Sequence, residues 1–167
     1  MRPIPETGET ETVLAPTVTY WPAPARRRRP DWLYKLDDGP LRNLLDEVYG
    51  ALDADHRVLA AIGVRTALDR AMVLQGATEA AGFAMKLDEL KSAGVISQQE
   101  KDILVALTDA GSAAAHRGWR PEASALTTIM DGIEAFLHRA LVMTPAIAAI
   151  KAQVPERPKW LHKSKAT

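Results

Sequence analysis

From Pro40 onward apolar residues recur every three or four positions, the period of a helix that hides one face. Leu41, Leu44, Leu45, Val48 and Leu52 share one side of a first helix, and Pro40, whose missing amide costs nothing in an opening turn, suits its start. Val58 to Leu74 is apolar nearly all round, as expected of a segment enclosed by other helices; Asp53 or Asp55 is placed to cap it and Gly76 lies beyond its end. Phe83, Leu87 and Leu90 are in phase on a shorter third helix that Gly94 stops. Ser97 and Glu100 have the spacing of a capping box, each satisfying an amide of the other's turn, ahead of Ile103, Leu104 and Leu107. From about Pro121 a continuous stripe of Leu126, Ile129, Met130, Ile133, Phe136, Leu137, Ala140 and Leu141 makes a fifth helix, which Pro145 is expected to end or kink. Five such segments with short connections predict an all-α fold, an up-and-down bundle of about five helices over residues 40–150.

Both flanks follow a different grammar. Residues 1–39 hold more than half of the chain's 11 prolines, and each proline fixes its own backbone and removes an amide donor, so this stretch reads as an extended arm. Within it TVTYW, Thr17 to Trp21, is β-branched and aromatic enough for one short strand. Residues 151–167 read as a basic, polar tail.

Composition changes the picture in three places. The formal net charge is +0, which argues against a dedicated nucleic-acid coat, yet the charge is unevenly laid out. Residues 40–150 carry 14 acidic and 10 basic side chains, whereas residues 151–167 carry 1 and 5. With no cysteine, disulfides, thiolate catalysis and cysteine-based zinc sites are excluded. The opening MRPIPETGETET has no apolar core of a secretion signal, and ALVMTPAIAAI, interrupted by Pro145, reads as too short for a membrane span, so a cytoplasmic protein off the membrane is expected.

Candidate chemistry is sparse. On the second helix Arg65 and Asp69 stand one turn apart and are expected to bond as a structural polar pair in the core, with Arg65 tying down a neighbouring helix or loop. Arg26, Arg27, Arg28 and Arg29 suit phosphates or an acidic partner, or else form a solvated turn neutralised by Asp31, Asp37 and Asp38. Trp21 and Trp160 can stack on bases while Lys159 and Lys163 meet phosphates, a reading that makes RNA or DNA a candidate partner beside a protein. In DAGSAAAHRGWRP, Asp109 to Pro121, Gly111 and Ser112 are placed to break the fourth helix, with Ser112 capping a short new turn that carries His116. An imidazole there can act as acid or base. No nucleophile elbow, metal-ligand spacing or phosphate loop accompanies it, so neither cofactor nor metal is expected.

RTALDRA (Arg65 to Ala71), LDELKSAGVIS (Leu87 to Ser97) and GSAAAH (Gly111 to His116), followed by a long amphipathic helix, together resemble the HEPN superfamily, in particular its uncharacterised bacterial branch often attached to restriction and other defence enzymes. The resemblance implies a helical bundle, a homodimer and, in active members, a metal-independent ribonuclease whose arginine and histidine meet across the dimer. Here the positions that should supply the arginine read LTDA, Leu107 to Ala110, and Ser112 stands where the pattern has asparagine. An arginine stabilises the charge of a pentacovalent phosphate; Thr108 cannot, and Asp109 repels it. The expectation is therefore a non-catalytic or degenerate HEPN-like module acting through protein or nucleic-acid contacts in a bacterial or phage defence or stress setting. The alternative is a ribonuclease with a rearranged site, His116 as base and Arg117 or Arg120 for charge.

Overall fold

The computed structural model describes residues 27–156; Trp21, Arg26, Lys159, Trp160, Lys163 and the TVTYW segment lie outside them. The fold is an all-α bundle of five helices, with no strand among the described residues. A 3-10 turn, Asp31–Lys35, precedes α1 (Gly39–Asp53), α2 (Arg57–Leu74), α3 (Phe83–Ser92) and α4 (Gln98–His116). The fifth helix is composite: α5 (Ala123–Leu137) passes through a π-helical segment, His138–Met143, into α6 (Thr144–Gln153).

Local chemistry explains most starts and stops. Asp38 caps α1 by accepting the Leu41 amide at 2.7 Å, with proline in the first turn. The Ser97–Glu100 box closes with both hydrogen bonds at 3.1 Å. Gly76 and Gly94 end α2 and α3 at φ +96° and +72°, backbone that side chains resist.

The α2 helix is the central post. Its Ala60, Ala61, Val64, Ala67, Leu68, Ala71 and Met72 are all buried, which is why its sequence is apolar nearly all round. Against it pack α1, α4 and α5, with α3 covering the α2–α4 seam. Two glycines let helices come close. A β-carbon on Gly63 would sit 2.6 Å from Val48 Cγ2, and one on Gly111 would sit 2.5 Å from Arg65 Cβ and 3.0 Å from the Ala61 carbonyl oxygen.

Several sequence expectations are corrected. Neither Asp53 nor Asp55 caps α2: its N-cap is His56, and Asp55 turns the chain at φ +58° while its carboxylate holds Arg57 at 2.8 Å. Gly111 and Ser112 do not break α4, because Gly111 serves the close approach to α2, and the helix runs unbroken to His116. Part of the arm is not extended: the 3-10 turn buries Leu33, and Leu36 follows it into the core. Pro145 does not end the last helix either. The Thr144 amide bonds back five residues to the Arg139 carbonyl, and the wider π turn places the proline in the first turn of α6, where a missing amide costs little. The continuous helix Ala123–Gln153 is consequently long and apolar enough to cross a membrane by length and composition, contrary to the reading that Pro145 cuts it short. Its first half is committed to the bundle core through Leu126, Met130, Ile133 and Leu137, all at most 3% exposed.

Candidate functional site

The end of α4 and the loop that leads from it to α5 hold His116, Arg117 and Arg120. His116 is the last residue of α4 and is exposed, as are Arg117 and Arg120. Its position follows from the packing of α4: Leu104, Leu107, Gly111 and Ala114 are buried, which leaves residue 116 on the outer face of the final turn. Arg117 folds back along the helix, its Nη2 donating to the Asp109 carboxylate at 2.8 Å and to the Asp109 carbonyl at 3.1 Å. The one acid in the place of the expected arginine thus engages the nearest cation. Trp119 is half-buried, its amide donating to the Ala113 carbonyl at 3.2 Å, and Gly118 makes the turn at φ +66°. Between them runs a wide, open groove of about 450 Å³ lined by Asp109, Ala110, Ala113, Arg117 and Trp119, a set that includes neither His116 nor Arg120.

The second polar group forms on α2 and α3, and its pairing differs from expectation. Asp69 binds Lys86 Nζ at 2.8 Å, and Arg65 instead sets its guanidinium over the Phe83 ring, the central carbon 4.2 Å from the ring centre. Arg65 Nε is buried with no hydrogen-bond partner among the described residues. The reason is steric: Gly111 presses α4 against the Arg65 stem, and α3 brings Lys86, only 2% exposed, down onto Asp69. Sequence reasoning missed Lys86 although its signal was there, one turn after Phe83 and one before Leu90 on the inward face of α3. Antiparallel packing also separates the two groups. Gly111 faces Arg65, and His116 lies five residues further along α4, about 7.5 Å of helix rise in the direction of the start of α2.

Of the arm's arginines, Arg27, Arg28 and Arg29 lie among the described residues, and each finds a partner inside the molecule. Arg27 grips Glu134 with Nε at 2.7 Å and Nη2 at 2.8 Å, and reaches Asp131 at 2.5 Å. Tyr49 donates to the same Glu134 oxygen at 2.6 Å. Burial first, and then its bond to Glu134, push the Tyr49 phenol far above its ordinary value, so it stays a donor throughout the working range. Arg28 meets Asp31 at 3.5 Å in solvent, and Arg29 lies 3.5 Å from Asp46 and 5.4 Å from the centre of the Tyr49 ring. Arg27 and Arg29 thus form a clasp to α5 and α1, and only Arg28 keeps the local partner Asp31 that the sequence offered; Asp38 is held instead by Arg70 at 2.6 Å. Beside the clasp, Arg27, Arg57, Leu52, Leu126 and Met130 line a cleft of about 230 Å³ whose rim includes Asp55. Among the described residues no three of His, Asp and Glu converge as a metal site requires.

Fold and surface together define a small helical bundle whose charged residues mostly hold one another, with an exposed histidine at one end of its fourth helix. Residues 46–159, more than half of the chain, match the family described as Domain of unknown function (DUF4145), and the chain belongs to that family. No curated protein and no solved structure matches it.

Proposed function

We propose that the protein is a non-catalytic, HEPN-like helical module that works by holding a partner, a protein first and a nucleic acid second, in a bacterial or phage defence or stress system in the cytoplasm. The observation that carries this reading is the Arg117–Asp109 pair: the cation nearest His116 already has its counter-charge, and Asp109 would repel a phosphodiester brought to the same place. His116 itself opens onto solvent rather than into a cleft that excludes water. Resemblance of RTALDRA and GSAAAH to the HEPN pattern supplies the defence setting and the dimer. A place off the membrane is supported by the burial of the first half of the last helix in the core, through Leu126, Met130, Ile133 and Leu137.

The test is incubation of the purified chain with single-stranded RNA, without added metal, alongside His116→Ala. RNA that remains intact with both proteins is the expected outcome. One observation favours the ribonuclease alternative: Arg120 is exposed and makes no ion pair among the described residues, four positions from His116. Cleavage by the wild type that disappears in both His116→Ala and Arg120→Ala would replace the first reading with this one.

A further inference from the structure

Among the described residues three arginines hold a buried nitrogen that makes no hydrogen bond: Arg29 and Arg65 at Nε, and Arg139 at Nε and Nη2. Two of them have a carboxylate at hand even so, since Arg29 lies 3.5 Å from Asp46 and Arg139 lies 2.7 Å from Glu100. Arg65 has none. Its guanidinium meets only the face of Phe83, at 4.2 Å. The acids of its neighbourhood are taken: Asp69, one turn along α2, holds Lys86; on α3 Asp88 holds Lys101 and Glu89 accepts the Thr78 amide; on α4 Asp109 holds Arg117. Arg65 and Lys86 against Asp69, two cations and one carboxylate, therefore leave one positive charge over. Arg65 is half-buried and Lys86 is 2% exposed, so water compensates that charge poorly, least of all at the sealed Nε.

From this excess we infer that Arg65 is the seat of a carboxylate-binding site, which takes an acidic side chain of the protein partner. The source of the acid rests on the reading of the chain as one that holds a protein; the site itself does not. A guanidinium grips a carboxylate either through Nε and one terminal nitrogen or through both terminal nitrogens. Burial of Nε closes the first mode, and the terminal pair, which is not buried, serves the second. The fork is already fixed in place. Gly111 of α4 backs its stem, so close that a β-carbon there would lie 2.5 Å from Arg65 Cβ and 3.1 Å from Cδ, and the Phe83 ring holds its plane, which leaves little freedom to lose on binding. One surplus positive charge calls for one negative charge. A carboxylate balances it, whereas a phosphate monoester, at about −1.5 to −2 near neutrality, overshoots and is repelled by the partly exposed Asp69. Neither cleft described above is lined by Arg65, so a free small acid finds no enclosure here; a carboxylate carried on a larger surface does not need one.

Proton–nitrogen correlation spectra of the arginine Nε–H groups in the full wild-type chain test it, because a buried Nε–H is shielded from exchange with water, and Arg65→Lys identifies the signal by removing it. Titration with the peptide acetyl-Ala-Glu-Ala-amide at constant ionic strength should move the Arg65 signal to a plateau in the millimolar range. The Arg70 signal, whose Nε is already held by Asp38 at 3.2 Å, should stay in place. Acetyl-Ala-Gln-Ala-amide, which lacks the charge, should bind about tenfold more weakly. An Arg65 signal that the glutamate peptide leaves unmoved, or that both peptides move alike, would overturn the site. Saturation by inorganic phosphate at a lower concentration than by the glutamate peptide would overturn the choice of a carboxylate. The titration reads the site alone, so its failure is distinct from a failure of the partner reading, which the incubation with RNA decides.

Discussion

Single residues decide how closely these helices meet, and Gly111 does so most plainly. A methyl group there would sit 2.5 Å from Arg65 Cβ and 3.0 Å from a main-chain carbonyl, neither of which is the free end of a side chain. Gly111→Ala should therefore destabilise the fold by about 1–3 kcal/mol through overpacking, even though alanine is the better helix former by about 1 kcal/mol. Urea denaturation followed by helix signal checks this, and a variant as stable as wild type would mean that α2 and α4 can move apart. Asp38 makes a second prediction at the same scale. The Arg70 hydrogen bond, assisted by the Leu41 amide and opposed by burial, holds its carboxyl below the ordinary value of 3.8. A depressed folded-state value means that the stabilisation is complete above pH 3.8 and is lost as pH falls through the folded value. Asp38→Asn should lower stability at neutral pH and flatten its decline below about pH 4, a change that thermal melts across pH 2 to 6 would show. Arg65 and Asp69 were legible as a polar interruption of an apolar row, yet their partners were not. Phe83 and Lys86 arrive from another helix, and spacing along one chain segment carries no information about which cation a carboxylate meets across a packed interface.

At the scale of elements, periodicity and caps made all five helices visible before any coordinates, because an amphipathic stripe and a capping box are local chemistry that the fold uses unchanged. What periodicity could not give was the fate of Pro145. A proline inside an apolar rhythm normally ends a helix, since it removes one amide and crowds the preceding turn. Here the cost is absorbed by widening one turn to the π pattern, with the Thr144 hydroxyl and amide both turned back to the Arg139 carbonyl. The outcome depends on backbone geometry that no side-chain pattern announces. The same limit applies to α4. Its Gly111–Ser112 pair reads as a break when seen alone, and becomes part of an unbroken helix once α2 is placed against it. The consequence for function is direct, since a continuous α4 puts His116 at an exposed helix end and sets Arg117 where it folds back onto Asp109 instead of facing a substrate.

For the molecule as a whole, the side-chain hydrogen bond with the greatest reach among the described residues joins Arg27 to Glu134 across 107 positions of sequence, with Tyr49 of α1 on the same carboxylate. It ties the entry of the chain, the first helix and the last one into a single unit, and a run of four arginines gave no hint of it beyond their charge. The three side chains are a coupled set: Arg27 and Glu134 are 20% and 17% exposed, so either charge left without the other is poorly compensated by water. Removing a second member should then cost less than removing the first. Arg27→Ala is expected to lose about 1.5–3 kcal/mol of stability, the range for hydrogen bonds to charged groups, with a smaller further loss when Glu134→Gln is added to it. Glu134→Gln alone strands Arg27 beside Asp131, which at 64% exposure shares its charge with solvent and replaces the lost partner only in part. A double-mutant cycle by chemical denaturation measures the coupling, and additive losses would show that the clasp consists of independent surface contacts. Strong coupling would instead mean that Arg27 anchors the chain to the bundle beside the cleft of Leu52, Leu126 and Met130, so that a pull on Arg27 would act directly on the helix from which α6 extends.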